Sequence, residues 1–292
     1  MRLRRQRSSN ALIVGWFSLA FGGATAGDLA ALEVVRRWLD EAGWTYDVAL
    51  GEPLEGGIDW RAAPPAAYSH VIHVCGPIGP SMEVAQILER FPASTLVAVN
   101  VSVIGDRDGF GSVVERDGRA DLAFLGSEER VPVVGVAFVH HQVEYAGARH
   151  AEVEAAIGEL LAERECASVS IDTKLDLNAG GLRSVAEVES LIARMDALVT
   201  TRLHGLVFAL RSGVPALAVD PIAGGAKVAA QARAIDWPAL LLPDEVDRLG
   251  ELFDWCLGAE ARERAHECSE AARRDADAVR DELLAALGGP PA

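Results

Sequence analysis

The sequence predicts an α/β protein built on parallel sheets, and three observations carry that expectation. Half of the 292 residues are hydrophobic and 24% are charged, enough apolar material for one large domain or two ordinary ones. Short Val/Ile/Leu/Ala runs recur without polar alternation, the pattern of strands buried on both faces. Amphipathic stretches alternate with those runs, as covering helices do in βαβ units.

In chain order, the first run is Ala11 to Gly15, followed by a glycine-rich loop, Phe21 to Asp28. A helix then spans Leu29 to Leu39, with Leu29, Leu32, Val34, Val35 and Leu39 facing inward. Val48-Ala49-Leu50 reads as a second strand, and the Pro/Gly-rich stretch Gly51 to Pro65 connects it to a third, Ser69 to Cys75. That strand ends at the loop Gly76-Pro77-Ile78-Gly79-Pro80. Met82 to Arg90 reads as a helix stopped by Pro92, and Thr95 to Val101 as a buried strand that runs into the polar, glycine-rich segment Gly105 to Gly118.

Gly126 to Arg130 is charged and turn-like, which places a domain boundary near residue 130 and divides the chain into residues 1–130 and 131–292. The second half alternates more clearly. Its strands are predicted at Pro132 to Val139, Ala167 to Ile171, Ala197 to Thr200 and Val214 to Val219, and its helices at Ala151 to Glu163, Val185 to Ala193 and Gly205 to Ser212. From Asp244 onward the chain reads as helical, ending in a charged, solvated tail.

Two readings of the amino terminus compete. Arg2 to Arg7, the apolar run Ala11 to Phe21 and Ala24-Thr25-Ala26 together mimic a secretory signal with its cleavage site. The reading adopted makes Ala11 to Gly15 the first strand of a cytoplasmic protein; export, with residues 1–26 acting as a signal peptide, is the alternative. No apolar stretch reaches the ~20 residues of a membrane helix.

Charge and motifs exclude several function classes. A formal net charge of −16 repels a phosphate backbone, so no nucleic-acid partner is expected. Cys75, Cys166, Cys256 and Cys268 are scattered, giving neither zinc-ligand spacing nor a disulfide framework, and no metal is expected. The spacing of Gly22, Gly23 and Gly27 does not make a dinucleotide fingerprint. Phosphate-binding P-loop, serine-hydrolase elbow and zinc-peptidase motifs do not occur.

In an open parallel sheet, ligands bind beyond the carboxyl ends of the strands. The strand Ala197 to Thr200 delivers Arg202 and His204 to the amino end of the next helix, where backbone N–H groups and the helix dipole favour an anion. Arginine adds a two-pronged donor for phosphate or carboxylate. Lys227 follows the next strand on the same rim, and Asp28, His140, His141 and Asp172 stand at other strand ends.

The segment Asp196-Ala-Leu-Val-Thr-Thr-Arg202-Leu-His204-Gly-Leu-Val-Phe-Ala-Leu-Arg-Ser-Gly-Val-Pro215 resembles the signature of the polysaccharide pyruvyl transferases. The resemblance continues to Lys227 and is echoed by Ala26-Gly27-Asp28, similar to the family's opening Gly-Asp loop. It implies two Rossmann-like domains resembling a glycosyltransferase-B-type fold, the first facing the acceptor and the second holding the donor. It also implies phosphoenolpyruvate as donor, with no cofactor, and a glycan or lipid-linked sugar diol as acceptor, joined as a pyruvate ketal. His204 and Asp28 then become the proton-transfer candidates, and Arg202, Lys227, His140 and His141 the substrate-binding ones. A nucleotide-sugar glycosyltransferase of the same architecture and a non-catalytic glycan- or anion-binding paralogue are the alternatives.

Overall fold

The computed structural model describes residues 10–19, 24–79, 82–92, 94–105, 107, 109–118, 130–139, 147–176 and 178–287. The chain divides into two compact units, Met1–Glu129 and Arg130–Ala292. Each is α/β, and every strand pairing within each sheet is parallel.

In the first unit, β1 (Asn10–Gly15) is an inner strand flanked by β2 (Thr45–Val48) and β3 (His70–Val74). Beyond β3 lies β5 (Thr95–Val103), which pairs with the short β4 (Pro77–Ile78) and with β6 (Ser112–Glu115). Leu12, Ile13 and Val14 are fully buried, so the first apolar run forms sheet core. Helix α1 (Ala26–Glu41) covers that core through Ala31, Leu32, Val34 and Val35, and α2 (Met82–Arg90) leads into β5.

Three local expectations are corrected here. Helix α1 begins at Ala26, so Asp28 is its third residue and does not lie on a loop: Thr25 accepts the Asp28 N–H while the Asp28 carboxylate accepts the Thr25 N–H, a reciprocal cap that starts the helix early. The second strand lies at Thr45–Val48, ahead of the apolar triplet 48–50, because its side chains are half-exposed at the sheet edge. The segment 105–118 contains β6, a partly exposed edge strand whose polar composition hides it.

The second unit is built on a five-stranded sheet. Its strands are β7 (Val133–Ala137), β8 (Ala167–Ser170), β9 (Ala197–Thr200), β10 (Ala216–Val219) and β11 (Leu240–Leu241). Helices α3 (His150–Glu163), α4 (Val185–Ile192), α5 (Leu203–Arg211) and α6 (Lys227–Ala234) cover them. Helices α7 (Leu249–Cys256) and α8 (Ala259–Ala286) close the chain. All residues of β9 and β10 are buried, and all but Thr200 form one apolar cluster with Ile157, Ile192, Leu206, Leu210, Trp237 and Phe253. Helix α8 buries Ala261, Ala265 and Ser269 near its start, while its later turns are exposed.

Numbered by appearance, the second sheet runs 2-1-3-4-5: β7 leads to β8 on one side, and the chain then returns to place β9 on the other side of β7. In such a doubly wound sheet, helices leaving the two central strands diverge to opposite faces and open a crevice at their carboxyl ends, the place where ligands bind. Here that crevice lies between the ends of β7 and β9.

Candidate anion-binding site

The turn from β9 into α5 is fixed by two buried threonines. Thr200 Oγ1 donates to the Ala137 carbonyl and accepts the Arg202 N–H, each at 3.0 Å. Thr201 Oγ1 accepts the Val139 N–H at 2.8 Å. These bonds tie the end of β9 to the end of β7, across the mouth of the crevice. Gly205 lets α5 sit this close: a Cβ there would lie 2.2 Å from Thr200 Oγ1.

Arg202 is the cap residue of α5, and its side chain crosses the crevice. Nε donates to the Phe138 carbonyl at 2.6 Å, Nη1 donates to Thr173 Oγ1 at 3.3 Å, and Nη2 lies 3.3 Å from the Asp172 carboxylate. The ion pair is mostly sheltered, its two side chains 14% and 16% exposed. Groups just past the ends of β7 and β8 therefore hold, in one orientation, a guanidinium carried from the end of β9. A pair this enclosed interacts more strongly than a surface pair and is costly to break by removing one partner. What remains available is the unbonded N–H groups of a braced cation whose charge Asp172 already shares.

His204 follows as the second residue of α5 and is exposed, its ring centroid 6.3 Å from that of Phe208. The first turn of α5 has neither an acidic residue nor a side-chain cap. An anion there would complete the helix start both electrostatically and by hydrogen bonding. Arg202 and His204 thus belong to one helix start.

Lys227 is exposed and opens α6, after β10, the neighbour of β9 in the sheet. Its place is the first turn of a helix. The amino end of α6 is already served by Asp220, whose buried carboxylate accepts the N–H groups of Ile222 (3.1 Å), Ala226 (2.7 Å) and Ala229 (2.9 Å). Asp220 is a structural anchor that sequence reasoning leaves unassigned. Its signal is an acid directly between a buried strand and a Pro/Gly loop, where an Asx-type turn forms.

Asp28 lies in the first unit. Burial pushes its carboxyl pKa upward, but hydrogen bonds from the Thr25 N–H, the Cys75 thiol and the Thr25 hydroxyl, with the charge of Arg116, outweigh that and leave it below the usual carboxylate value. Around it, Arg116 Nε donates to Ser102 Oγ at 2.9 Å, and Arg116 Nη1 and Asn100 Nδ2 each lie 3.8 Å from Cys75 Sγ. Cys75 and Asn100 both hold positive φ, 63° and 57°. Burial, with Asp28 as the next cause, raises the Cys75 thiol pKa. Asp28 is thus an ionised, multiply bonded acceptor, a weak base. His140 and His141 lie outside the described residues. Among the described residues no group of three or more His, Cys, Asp or Glu side chains is arranged to hold a metal ion, and no helix is long and apolar enough to cross a membrane.

Comparison with known proteins adds three findings. No curated protein matches the chain. A solved structure, the Methanocaldococcus jannaschii UDP-GlcNAc 2-epimerase in complex with UDP-GlcNAc and UDP, is similar at 9% identity, covering 90% of this chain and 98% of that one, with a TM-score of 0.32. The third is a family match that runs from the first turn of α3 past the end of β10, enclosing the braced Arg202, His204 and Asp220. The family that this part of the chain resembles, matched over residues 151–221, is the polysaccharide pyruvyl transferases.

Proposed function

We propose that the protein transfers the pyruvyl group of phosphoenolpyruvate to two hydroxyls of one sugar in a glycan or lipid-linked precursor, forming a pyruvate ketal in the cytoplasm. The observation that carries this reading is the braced guanidinium of Arg202 beside an exposed imidazole, at the switch-point crevice of the family-matched segment. Phosphoenolpyruvate carries a carboxylate and a phosphate on one small enol, and this site offers a fixed cation and an uncapped helix start. Lys227, on the same rim, is assigned to the second anionic group.

The chemistry balances without a cofactor. A proton added to the terminal carbon of the enol phosphate leaves positive charge at C2. One sugar hydroxyl attacks there and releases a proton, phosphate departs with the C2–O bond electrons, and the second hydroxyl closes the ketal. Two hydroxyl protons leave the acceptor; one ends in the new methyl group and one on phosphate. His204 is assigned to proton transfer, since an imidazole exchanges protons near neutral pH.

Calorimetric titration with phosphoenolpyruvate tests the reading, with a UDP-sugar as comparison and Arg202→Ala as control. Phosphoenolpyruvate binding that weakens by at least tenfold in the variant is the expected result. Preference for the UDP-sugar would replace it with the glycosyltransferase reading, and binding of phosphoenolpyruvate without turnover on any acceptor would replace it with a non-catalytic one.

A further inference from the structure

A second feature lies against the same arginine. At the carboxyl ends of β7 and β8 a cavity of about 500 Å³ opens beside the first turns of α3, lined by Phe138, His150, Ala151, Glu154, Ser170 and Asp172 among others. Its size falls within the ~300–1,000 Å³ of small-molecule sites. Two of its lining residues are the braces of Arg202: Phe138 through its carbonyl and Asp172 through its carboxylate. The cavity and the guanidinium therefore share a wall.

The lining selects a chemical class. Two carboxylates, Glu154 and Asp172, disfavour an anionic occupant, whereas carboxylates are strong acceptors for hydroxyl donors. Ser170 Oγ adds a group that both donates and accepts. Phe138 supplies an apolar surface suited to the C–H face of a pyranose ring. We infer that this cavity is the subsite for the neutral sugar that receives the pyruvyl group, held by Glu154, Asp172 and Phe138 within the second unit.

The inference rests on the donor assignment above and deepens it: Asp172 stands between the two ligands, bonding Arg202 on one side and facing the sugar on the other. Acceptor and donor then meet across one residue, with the acceptor pocket belonging to the same unit as the donor site.

Saturation-transfer NMR with a panel of methyl hexopyranosides tests it on the full chain, using Glu154→Gln, which keeps shape and removes charge, and Ala151→Trp, which fills the cavity from an exposed helix position. At least one glycoside is expected to give saturation transfer, weakened fivefold or more by Glu154→Gln and abolished by Ala151→Trp, while both variants titrate phosphoenolpyruvate like the parent. Absence of transfer from every glycoside, or transfer unchanged in both variants, overturns the inference. Failure of phosphoenolpyruvate to bind the parent protein instead overturns the donor assignment, so the two failures are separable.

Discussion

Arg202 donates its Nε hydrogen to the carbonyl oxygen of Phe138 at 2.6 Å, joining the ends of two adjacent parallel strands through a side chain. The bond uses the donor that lysine lacks. Arg202→Lys keeps the charge but cannot bond Phe138, Thr173 and Asp172 at once. The variant is expected to lose about 1–3 kcal/mol of stability and at least tenfold in phosphoenolpyruvate affinity, read by urea denaturation and calorimetry. Parent-like values for both would mean that charge alone matters at this position.

His204 is exposed and contributes nothing to the buried core. His204→Ala should therefore fold with a parent-like melting temperature while ketal formation falls by about 10²–10⁴-fold, the usual worth of a positioned acid or base. Full activity in a folded His204→Ala protein would remove the imidazole from the reaction.

Gly205 is packed where a side chain has no room, its added Cβ lying 2.2 Å from Thr200 Oγ1 and 3.1 Å from Thr200 Cβ. Thr200 cannot move aside without losing its bond to the Ala137 carbonyl. Gly205→Ala should cost about 1–3 kcal/mol and lower phosphoenolpyruvate affinity, because α5 must shift away from β9. Thr200→Ser in the same background removes the methyl group but keeps the hydroxyl, so it should recover little of the loss, since the oxygen is the nearer atom.

His73 sits in β3, 4% exposed, and burial lowers its pKa to about 4 against an ordinary value of 6.5. The fold holds it neutral. The unfolded chain takes up a proton below about pH 6.5 that the folded chain refuses, so this contribution to stability is complete above 6.5 and is lost as pH falls toward 4. Between pH 7.5 and 5 the loss from this group is about 2 kcal/mol. His73→Leu should flatten that part of the acid-side slope in urea denaturation series; an unchanged slope would place the acid sensitivity elsewhere.

What the sequence shows of this fold follows from burial. Strand β9 is legible to the residue, because all of Ala197–Thr200 is buried and the run carries no polar alternation. Strand β6 is illegible for the converse reason: Ser112–Glu115 lies outermost beside β5 and is mostly exposed. Helix α6 escapes notice because Lys227–Ala234 is short and alanine-rich, and because the residue that starts it, Asp220, is a strand-end acid seven positions earlier.

The site divides in the same way. Arg202 and His204 are readable because both belong to one strand-to-helix turn. Asp172 is readable as a strand-end acid, but its pairing with Arg202 is not, since it and Thr173 lie some thirty positions away and reach Arg202 only when β8 is laid beside β7. Asp28 reads as a loop acid because its glycine-rich neighbours mask the Thr25–Asp28 spacing of a helix cap.

The carboxylate of Asp220 has a consequence for where negative charge can settle. By receiving the N–H groups of Ala226 and Ala229 at the entry to α6, it acts as a resident anion for that helix. The neighbouring helix, α5, has no such tenant. Of these two adjacent helix starts on one rim, the one that opens α6 is therefore neutralised by the protein's own carboxylate, while the one that carries Arg202 and His204 is not.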